Sequence, residues 1–178
     1  MTLAIVLGLL AQATDDNGGA GAPTAFPTLT ADAAQTPALT PAAVGPLDLN
    51  LDPARLERAE VVDIIDGDTI DVRLDGREER VRYYGVDTTE RGEDCFSGAS
   101  DRNEELAGDT VLLLPDARER DSFGRLLRYV FDAQGRSIDA QLIAEGLGHA
   151  WRDDGAYRDQ LVALEAQAET ARIGCLWE

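Results

Sequence analysis

The sequence predicts an α+β domain in which five short β-strands close into a small barrel and three helices pack around it. Runs rich in β-branched residues recur at short intervals after residue 55, and turn residues separate them. Other segments carry the start and stop signals of helices. A hydrophobic content of 44% in 178 residues is sufficient for one packed core.

The strand predictions rest on short apolar or alternating runs. They cover residues 61–65, 70–74, 79–83, 111–114 and 126–131. The second of these runs alternates apolar and polar positions strictly, and Asp75-Gly76 after it is a hairpin signal. The first three strands are therefore expected to form an antiparallel meander.

Three helices are predicted from their end signals. The first covers residues 99–107 before Gly108, the second starts at Ile138 and stops at Gly146, and the third covers 157–171. Five short strands with helices inserted and appended are typical of an OB-type barrel, which leaves one face and its loops open to a ligand.

The N-terminal part of the chain differs in composition from the rest. The apolar run at residues 3–10 ends at an Ala-Gln-Ala tripeptide, which fits the pattern of signal-peptide cleavage. No basic residue precedes the run, so residues 1–13 are interpreted as a signal peptide or the remnant of an anchor. Residues 14–54 are predicted to be a disordered Ala/Pro/Thr-rich linker, and 55–178 to be the folded domain. The protein is thus expected to be secreted or extracytoplasmic, with tethering by its N-terminus as an alternative.

The charge of the chain restricts its function. There are 34 acidic and 16 basic residues, every one of those bases is arginine, and the formal charge is −18. Such a surface opposes the binding of polyanions, whose partners usually carry a positive footprint. The acidic surface is explained by adaptation to high salt or by a biased genome. It is compatible with polyanion binding if a small arginine-lined cleft lies within it.

Three short segments combine carboxylates and arginines in a pattern suited to a phosphodiester. Asp68 and Asp87 offer the oxygen ligands that hard divalent cations prefer, and Glu90 lies three residues further on. Arg82 and Arg125 supply planar guanidinium groups that match phosphate oxygens. Each residue alone has a structural explanation as a turn cap, a solvated loop or a surface charge. Their joint occurrence favours a metal-assisted phosphodiester site.

These segments also occur in a recognisable order. The Asp-Gly-Asp-Thr turn at 66–69, the strand and acidic loop at 81–90, and the Asp-Ser-Phe-Gly-Arg segment at 121–125 resemble the staphylococcal nuclease (thermonuclease) family. The resemblance extends from about Ala59 to Trp177. It implies an OB-fold nuclease that depends on Ca²⁺, hydrolyses DNA, RNA or both, and leaves 3′-phosphate ends.

The resemblance also implies roles for individual residues. The implied set comprises the metal ligands Asp68, Asp87 and Thr88 (through its carbonyl), the catalytic residues Arg82, Glu90 and Arg125, and the substrate contacts Phe123, Trp151 and Tyr157. Glu90 is expected to activate or orient the attacking water, and the two arginines to clamp the phosphate. For Trp151, packing in the core is the alternative. His149, the only histidine, receives no role.

Cys95 and Cys175 are the only cysteines, and no Cys-x-x-Cys spacing suggests zinc. In an exported protein they are expected to form one disulfide that ties the loop after Glu90 to the C-terminal end. In a reducing compartment they would be two inert thiols.

Two other functional classes stay open at this point. One is a non-catalytic module of the same family that binds nucleic acid or protein through the barrel at the cell surface. The other is a surface-tethered interaction protein, which would explain the N-terminal linker but not the carboxylates and arginines. For the nuclease interpretation, the expected partner is nucleic acid as substrate; no obligate protein partner is inferred, and a monomer is expected.

Overall fold

The computed structural model describes Leu51 and residues 55–178. The predictions for residues 1–13 and, apart from Leu51, for the linker at 14–54 lie outside the described residues. In the described part of the chain, no helix has the length and apolar character needed to cross a bilayer.

Five strands form a closed barrel in the order β1-β2-β3-β6-β5, as predicted. Neighbouring strands are antiparallel except β3 and β6, which run parallel. The elements are β1 (Glu57–Ile64), β2 (Thr69–Leu74), β3 (Arg77–Tyr83), β4 (Val86–Asp87), α1 (Phe96–Ala107), β5 (Thr110–Arg120), β6 (Leu126–Asp132), α2 (Ile138–Ala144), β7 (His149–Ala150) and α3 (Arg158–Ala171). The predicted α+β class, with five barrel strands and three helices, is confirmed.

The hairpin between β2 and β3 forms where the sequence predicts it. Asp75 and Gly76 both have positive φ, at 49° and 78°, as a two-residue turn between twisted strands requires. On β2, Ile70 and Val72 are fully buried, and Ile70 lies opposite the buried Val81 of β3. The strict alternation in the sequence therefore corresponds to one face of the strand that enters the core.

Two features of the sheet differ from the prediction. Strand β5 continues to Arg120 rather than ending at residue 114, and its register with β6 shifts between Pro115 and Arg120. Proline lacks a backbone donor and is tolerated at such an irregularity. In addition, β4 and β7 form a separate two-stranded sheet in which Asp87 lies opposite His149. Two-residue strands carry no periodicity, so the sequence does not reveal them.

The helices close the barrel. On α3 the residues Leu161, Leu164 and Ala168 are buried at helical spacing. Ser137 caps α2, which starts at the predicted Ile138, by accepting a hydrogen bond from the Ala140 amide at 3.1 Å. The first helix begins at Phe96, three residues before the predicted start.

The C-terminal segment is held tightly against the end of α2. A Cβ atom added to Gly146 would lie 1.8 Å from the Ile173 carbonyl oxygen, so only glycine permits this approach. Cys175 in the same segment forms a disulfide with Cys95, with a Cα–Cα distance of 5.6 Å. The predicted bridge therefore connects the loop before α1 to a firmly packed C-terminal end.

Candidate active site

A cavity of about 300 Å³ opens at the side of the barrel where the acidic loop lies. Its ionisable lining consists of the carboxylates Asp66, Asp68, Asp87, Glu90 and Asp121 and the arginines Arg82, Arg118 and Arg125. Five carboxylates against three guanidinium groups give the lining a formal charge of −2. The cavity alone is therefore a poor site for an anion unless a cation joins it.

The cavity brings together most of the residues singled out in the sequence. All three predicted catalytic residues line it, as do Asp68, Asp87 and Trp151. Thr88 is buried beside it and is bonded to Asp68. Phe123 and Tyr157 are not among the lining residues.

The turn between β1 and β2 presents Asp68 to the cavity. The amides of Ile65 and Asp66 both donate to the Thr69 carbonyl, at 3.0 and 3.3 Å. A Cβ atom on Gly67 would lie 2.7 Å from both the Ala99 Cβ and the Thr88 Oγ1. Glycine is thus required because the turn packs directly against α1 and the acidic loop.

Asp68 is a buried and fully bonded carboxylate. Its Oδ2 accepts from the amide of Thr88 at 2.7 Å and from the Thr88 hydroxyl at 2.9 Å, and its Oδ1 accepts from the Thr69 hydroxyl at 3.1 Å. Burial raises the pKa of Asp68 to about 6, although Arg82 and the Thr88 amide act in the opposite direction. This carboxylate therefore gains stabilisation from any cation beside it.

Arg82 is the cation that stands beside Asp68 in this structure. Its Nη1 lies 3.0 Å from Asp68 Oδ1 and donates to the Val86 carbonyl at 2.6 Å, while its Nη2 contacts Asp87 Oδ1. The side chain of Arg82 is only 12% exposed, whereas that of Asp87 is 55% exposed. One guanidinium thus bridges the two predicted metal ligands.

The small β4–β7 sheet positions Asp87. His149 lies opposite Asp87 in the ladder, and the Trp151 amide donates to the Gly85 carbonyl at 2.9 Å. The same pairing places Trp151 in the cavity wall.

The predicted metal ligands fit a hard divalent cation in their chemistry. They offer only oxygen donors, the two carboxylates contact the same guanidinium group, and a divalent cation would balance the formal charge of the lining. Among the described residues, however, no three His, Cys, Asp or Glu side chains form a cluster arranged to hold a metal. A cation that binds between Asp68 and Asp87 must therefore displace Arg82 from at least one of them.

Glu90 lies in the exposed loop that follows β4. The Glu90 amide donates to Glu93 Oε2 at 2.8 Å, and the Glu93 amide donates back to the Glu90 carbonyl at 3.0 Å. Cys95, at the end of this loop, is covalently bonded to Cys175. A local turn and the disulfide therefore restrain the loop that carries this carboxylate.

Asp121 holds Arg125 within the turn between β5 and β6. Its Oδ1 accepts from the amides of Phe123 and Arg125, both at 2.9 Å, and its Oδ2 accepts from Arg125 Nε at 2.6 Å. Burial alone would raise the pKa of Asp121, but these hydrogen bonds lower it below its ordinary value. The ionised carboxylate keeps the guanidinium at the cavity edge.

The other two predicted substrate contacts occupy different surroundings. Phe123 is 84% exposed at the tip of the same turn, with the Arg125 guanidinium 5.6 Å from its ring centre. Tyr157 is partly buried and packs edge-on against Tyr129 at 4.8 Å between ring centres. The structure thus gives Tyr157 a packing role at the start of α3.

Several residues that support the site were not identified from the sequence. Asn103 is fully buried on α1, where its Nδ2 donates to the Asp66 carbonyl and its Oδ1 accepts from the Tyr83 hydroxyl. Asp139 is fully buried on α2 and accepts from the amides of Gly85 and Val130, at 2.8 and 2.9 Å. The only sequence signal for either is a polar residue within an otherwise apolar helix face.

Comparison with known proteins agrees with this geometry. The family model described as "Staphylococcal nuclease homologue" matches residues 80–178, which is more than half of the chain. The endonuclease YncB of Bacillus subtilis is 36% identical over 124 residues, which cover 64% of this chain and 58% of that protein.

Two further relatives extend the comparison. The SPbeta prophage-derived endonuclease YokF of B. subtilis is 34% identical over 134 residues, covering 66% of this chain and 45% of that protein. The micrococcal nuclease of Shigella flexneri is 34% identical over 129 residues, covering 67% of this chain and 73% of that protein. The chain thus spans about half the length of the two B. subtilis relatives. On the strength of the family match and of a fold and cavity that agree with it, this chain belongs to the staphylococcal nuclease family.

Proposed function

We propose that this protein is a Ca²⁺-dependent nuclease that hydrolyses phosphodiester bonds in DNA, RNA or both and leaves 3′-phosphate ends. The observation that carries the proposal is the convergence of Asp68, Asp87, Arg82, Glu90 and Arg125 on one cavity. Family membership supports it, as do the relatives whose names describe them as endonucleases or as a micrococcal nuclease.

The metal ligands in this proposal are Asp68, Asp87 and the backbone carbonyl of Thr88. Bound Ca²⁺ would neutralise charge on the phosphate and polarise its P–O bonds. The Thr88 amide and hydroxyl hold Asp68 Oδ2, so this carboxylate cannot rotate freely as a ligand. Asp87 is more exposed and is held by its short strand and by its contact with Arg82, so it adapts more easily once that contact is released.

The two arginines supply the charge that the developing phosphorane requires. Arg125 already lines the cavity and is oriented by Asp121. Arg82 is bonded to carboxylates, and its guanidinium becomes available for a phosphate oxygen when it is released from them. Donors directed at the oxygens of the transition state contribute more than donors that bind substrate and transition state equally.

Glu90 is the group proposed to accept a proton from water or to orient it. Its carboxylate lies at the cavity in a loop restrained by the Glu93 hydrogen bonds and the disulfide. Attack by that water on phosphorus breaks the bond to the 5′ oxygen, since the phosphate stays on the 3′ oxygen of the preceding nucleotide. The electron pair of the broken bond leaves with the 5′ oxygen, which becomes a hydroxyl after protonation.

The experiment that tests this function is digestion of end-labelled single-stranded DNA and RNA with Ca²⁺ and with excess chelator. We expect cleavage to require Ca²⁺. We also expect that a polymerase cannot extend the 3′ ends of the fragments until a phosphatase has removed their terminal phosphate. Binding of the same oligonucleotides without cleavage at any Ca²⁺ concentration would instead support the non-catalytic module of the family.

We also propose that the protein acts outside the cytoplasm. The disulfide between Cys95 and Cys175 supports this, because such bonds persist mainly in oxidising compartments. The test is fractionation of the native cells followed by mass analysis of the protein. Recovery only from the cytoplasm with two titratable thiols would contradict the proposal.

A further inference from the structure

One part of the cavity wall has no role in the hydrolysis proposed above. It consists of the side chains of Tyr84, Arg118, Leu127 and Trp151, which come from four separate parts of the chain, and we name it the Arg118 wall. Tyr84 and Leu127 are buried, at 2% and 5% exposure, and form an apolar base for it. Arg118 and Trp151 are more exposed.

A single carboxylate, Asp154, holds this wall in place. Its Oδ1 accepts from Arg118 Nη2 at 2.8 Å and from Trp151 Nε1 at 2.9 Å. Its Oδ2 accepts from Arg118 Nε at 2.5 Å and from the Tyr84 hydroxyl at 3.2 Å. An ionised carboxylate has about four acceptor positions, so four donors use its full capacity.

The hydrogen-bonding capacity that the wall offers a ligand is therefore mainly that of a donor. Asp154 has no acceptor position left, and Trp151 uses its only side-chain donor on Asp154. Arg118 Nη1, in contrast, donates no hydrogen bond to any residue that the structure describes. The guanidinium is held by its two hydrogen bonds to Asp154, and its carbon lies 5.2 Å from the centre of the Tyr84 ring.

A flat ligand with an acceptor on its edge fits such a wall. A nucleobase next to the scissile phosphate is such a ligand, since its faces can stack on an indole and its edge carries hydrogen-bonding groups. Guanine, thymine and uracil present a carbonyl acceptor where adenine and cytosine present an amino donor. An amino group facing Arg118 would meet another donor, with no acceptor on Asp154 to receive it.

We propose that Arg118, oriented by Asp154, selects keto bases (guanine, thymine or uracil) over amino bases (adenine or cytosine) at the nucleotide beside the scissile phosphate. This inference rests on the proposed nuclease function. It assigns Arg118 as a specificity-determining residue and Asp154 as its positioning residue.

The chain offers a matched control for Arg118. Arg80 forms the same two-bond ion pair with Asp71, from Nε at 2.7 Å and from Nη2 at 2.8 Å, on the β2–β3 surface outside the cavity. Replacement of Arg80 by leucine removes an equivalent ion pair without touching the wall. Any general effect of losing a surface arginine is measured by this variant.

The experiment uses octanucleotides with identical flanks and one variable base, in thymine/adenine and guanine/cytosine pairs. Cleavage at the bond beside that base is quantified as kcat/KM in Ca²⁺, and binding is measured separately by fluorescence anisotropy in Ca²⁺. Wild-type protein and Arg80→Leu are expected to prefer the keto member of each pair by about ten-fold. In Arg118→Leu the preference falls to within about two-fold, and Arg118→Lys, which keeps the charge but not the planar group, is intermediate.

The two readouts separate this inference from the proposed function. Cleavage without a keto preference, or a preference that Arg118→Leu retains, overturns the inference and leaves the nuclease function intact. A keto preference in binding that depends on Arg118, without cleavage, supports the inference and overturns the catalytic function. Absence of both binding preference and cleavage overturns both. A thermal melt of each variant shows whether Arg118→Leu is folded, and Arg118→Lys provides the test if it is not.

Discussion

The Nη1 atom of Arg82 lies 3.0 Å from the Oδ1 atom of Asp68, in the lining of the cavity where a metal ion and a phosphate are both proposed to bind. The same guanidinium contacts Asp87, so the group proposed to bind phosphate occupies oxygens of the proposed metal ligands. Metal binding and release of Arg82 are therefore expected to be coupled. On this account, Arg82 becomes available to a phosphate oxygen only after a cation has replaced it beside the two carboxylates. The acidic lining therefore receives a positive charge before the phosphate binds.

The first prediction concerns the geometry of the two arginines. Arg82→Lys and Arg125→Lys should each lower kcat/KM for single-stranded DNA by about 100-fold, because lysine keeps the charge but cannot donate two parallel hydrogen bonds. Steady-state cleavage kinetics measure the effect, with Arg80→Lys as a control on the barrel surface. Turnover close to that of wild type in both variants would show that these arginines do not clamp the phosphate.

The second prediction concerns pH and Asp139. Burial raises the pKa of this carboxyl to about 7, well above the ordinary value of 3.8, although the amides of Val130 and Gly85 oppose the shift. The folded state therefore holds a proton that the unfolded state releases, and stability should fall as pH rises from about 4 to about 7, by an amount on the order of a few kcal/mol. Urea unfolding across this range measures the slope.

Asp139→Asn tests the assignment of that slope. Asparagine has one acceptor oxygen for two backbone donors, so the variant should lose about 1 to 3 kcal/mol of unfolding free energy at low pH. Because asparagine does not titrate, the unfolding free energy of the variant should decline less steeply between about pH 4 and 7. The decline that remains is assigned to Asp68, whose pKa is also raised. An unchanged slope would mean that Asp139 does not titrate in this range.

The disulfide supplies a third prediction. It closes a segment of 80 residues, which the chain-entropy model equates with a stabilisation of about 4 to 5 kcal/mol. Reduction should lower the melting temperature, and it should also lower kcat more than it raises KM, because the loop that carries Glu90 loses its anchor. The double variant Cys95→Ser/Cys175→Ser should match the reduced protein and be insensitive to reductant. Equal kcat in oxidised and reduced protein would show that the disulfide does not hold Glu90 in position.

The barrel could be predicted from the sequence because its signals are local. Strict alternation in β2 and the Asp75-Gly76 turn establish register over a few residues. The end of β5 could not be predicted because Pro115 and the charged residues after it resemble a loop, and the pairing with β6 is irregular between Pro115 and Arg120. The sheet of β4 and β7 was missed for a similar reason, since its two strands join residues more than 60 positions apart.

Only part of the candidate site could be predicted, because some of its residues lie far apart in the sequence and meet only in the folded protein. Motifs such as Asp-Gly-Asp-Thr place their functional groups within a few residues, so pattern alone suggests the chemistry. Arg118 and Asp154 are 36 residues apart and meet only after folding, and no local pattern marks either of them. The bridge from Arg82 to two carboxylates likewise depends on the turn that brings Asp87 back beside Asp68.

The fourth prediction follows from the charge of the protein. The net charge of −18 repels a polyanion at long range, while the cavity arginines attract it at short range. Salt screens the repulsion over a Debye length of about 8 Å at physiological ionic strength and also weakens the attraction. With repulsion dominant, kcat/KM for DNA should hold or rise with moderate potassium chloride before it falls. A steep decline from the lowest salt concentration would show that attraction in the cavity outweighs the net charge.

The measurement that tests the central claim most directly is the Ca²⁺ dependence of single-stranded DNA cleavage in wild-type protein, Asp68→Asn and Asp87→Asn, with Asp71→Asn as a surface control. Wild type and Asp71→Asn should cleave with Ca²⁺ and stop in excess chelator. Both site variants should be inactive while they keep a cooperative thermal transition, because one remaining carboxylate holds a hard cation only weakly. Full cleavage by wild-type protein in excess chelator, or full activity in either site variant, would contradict the assignment of these carboxylates as metal ligands.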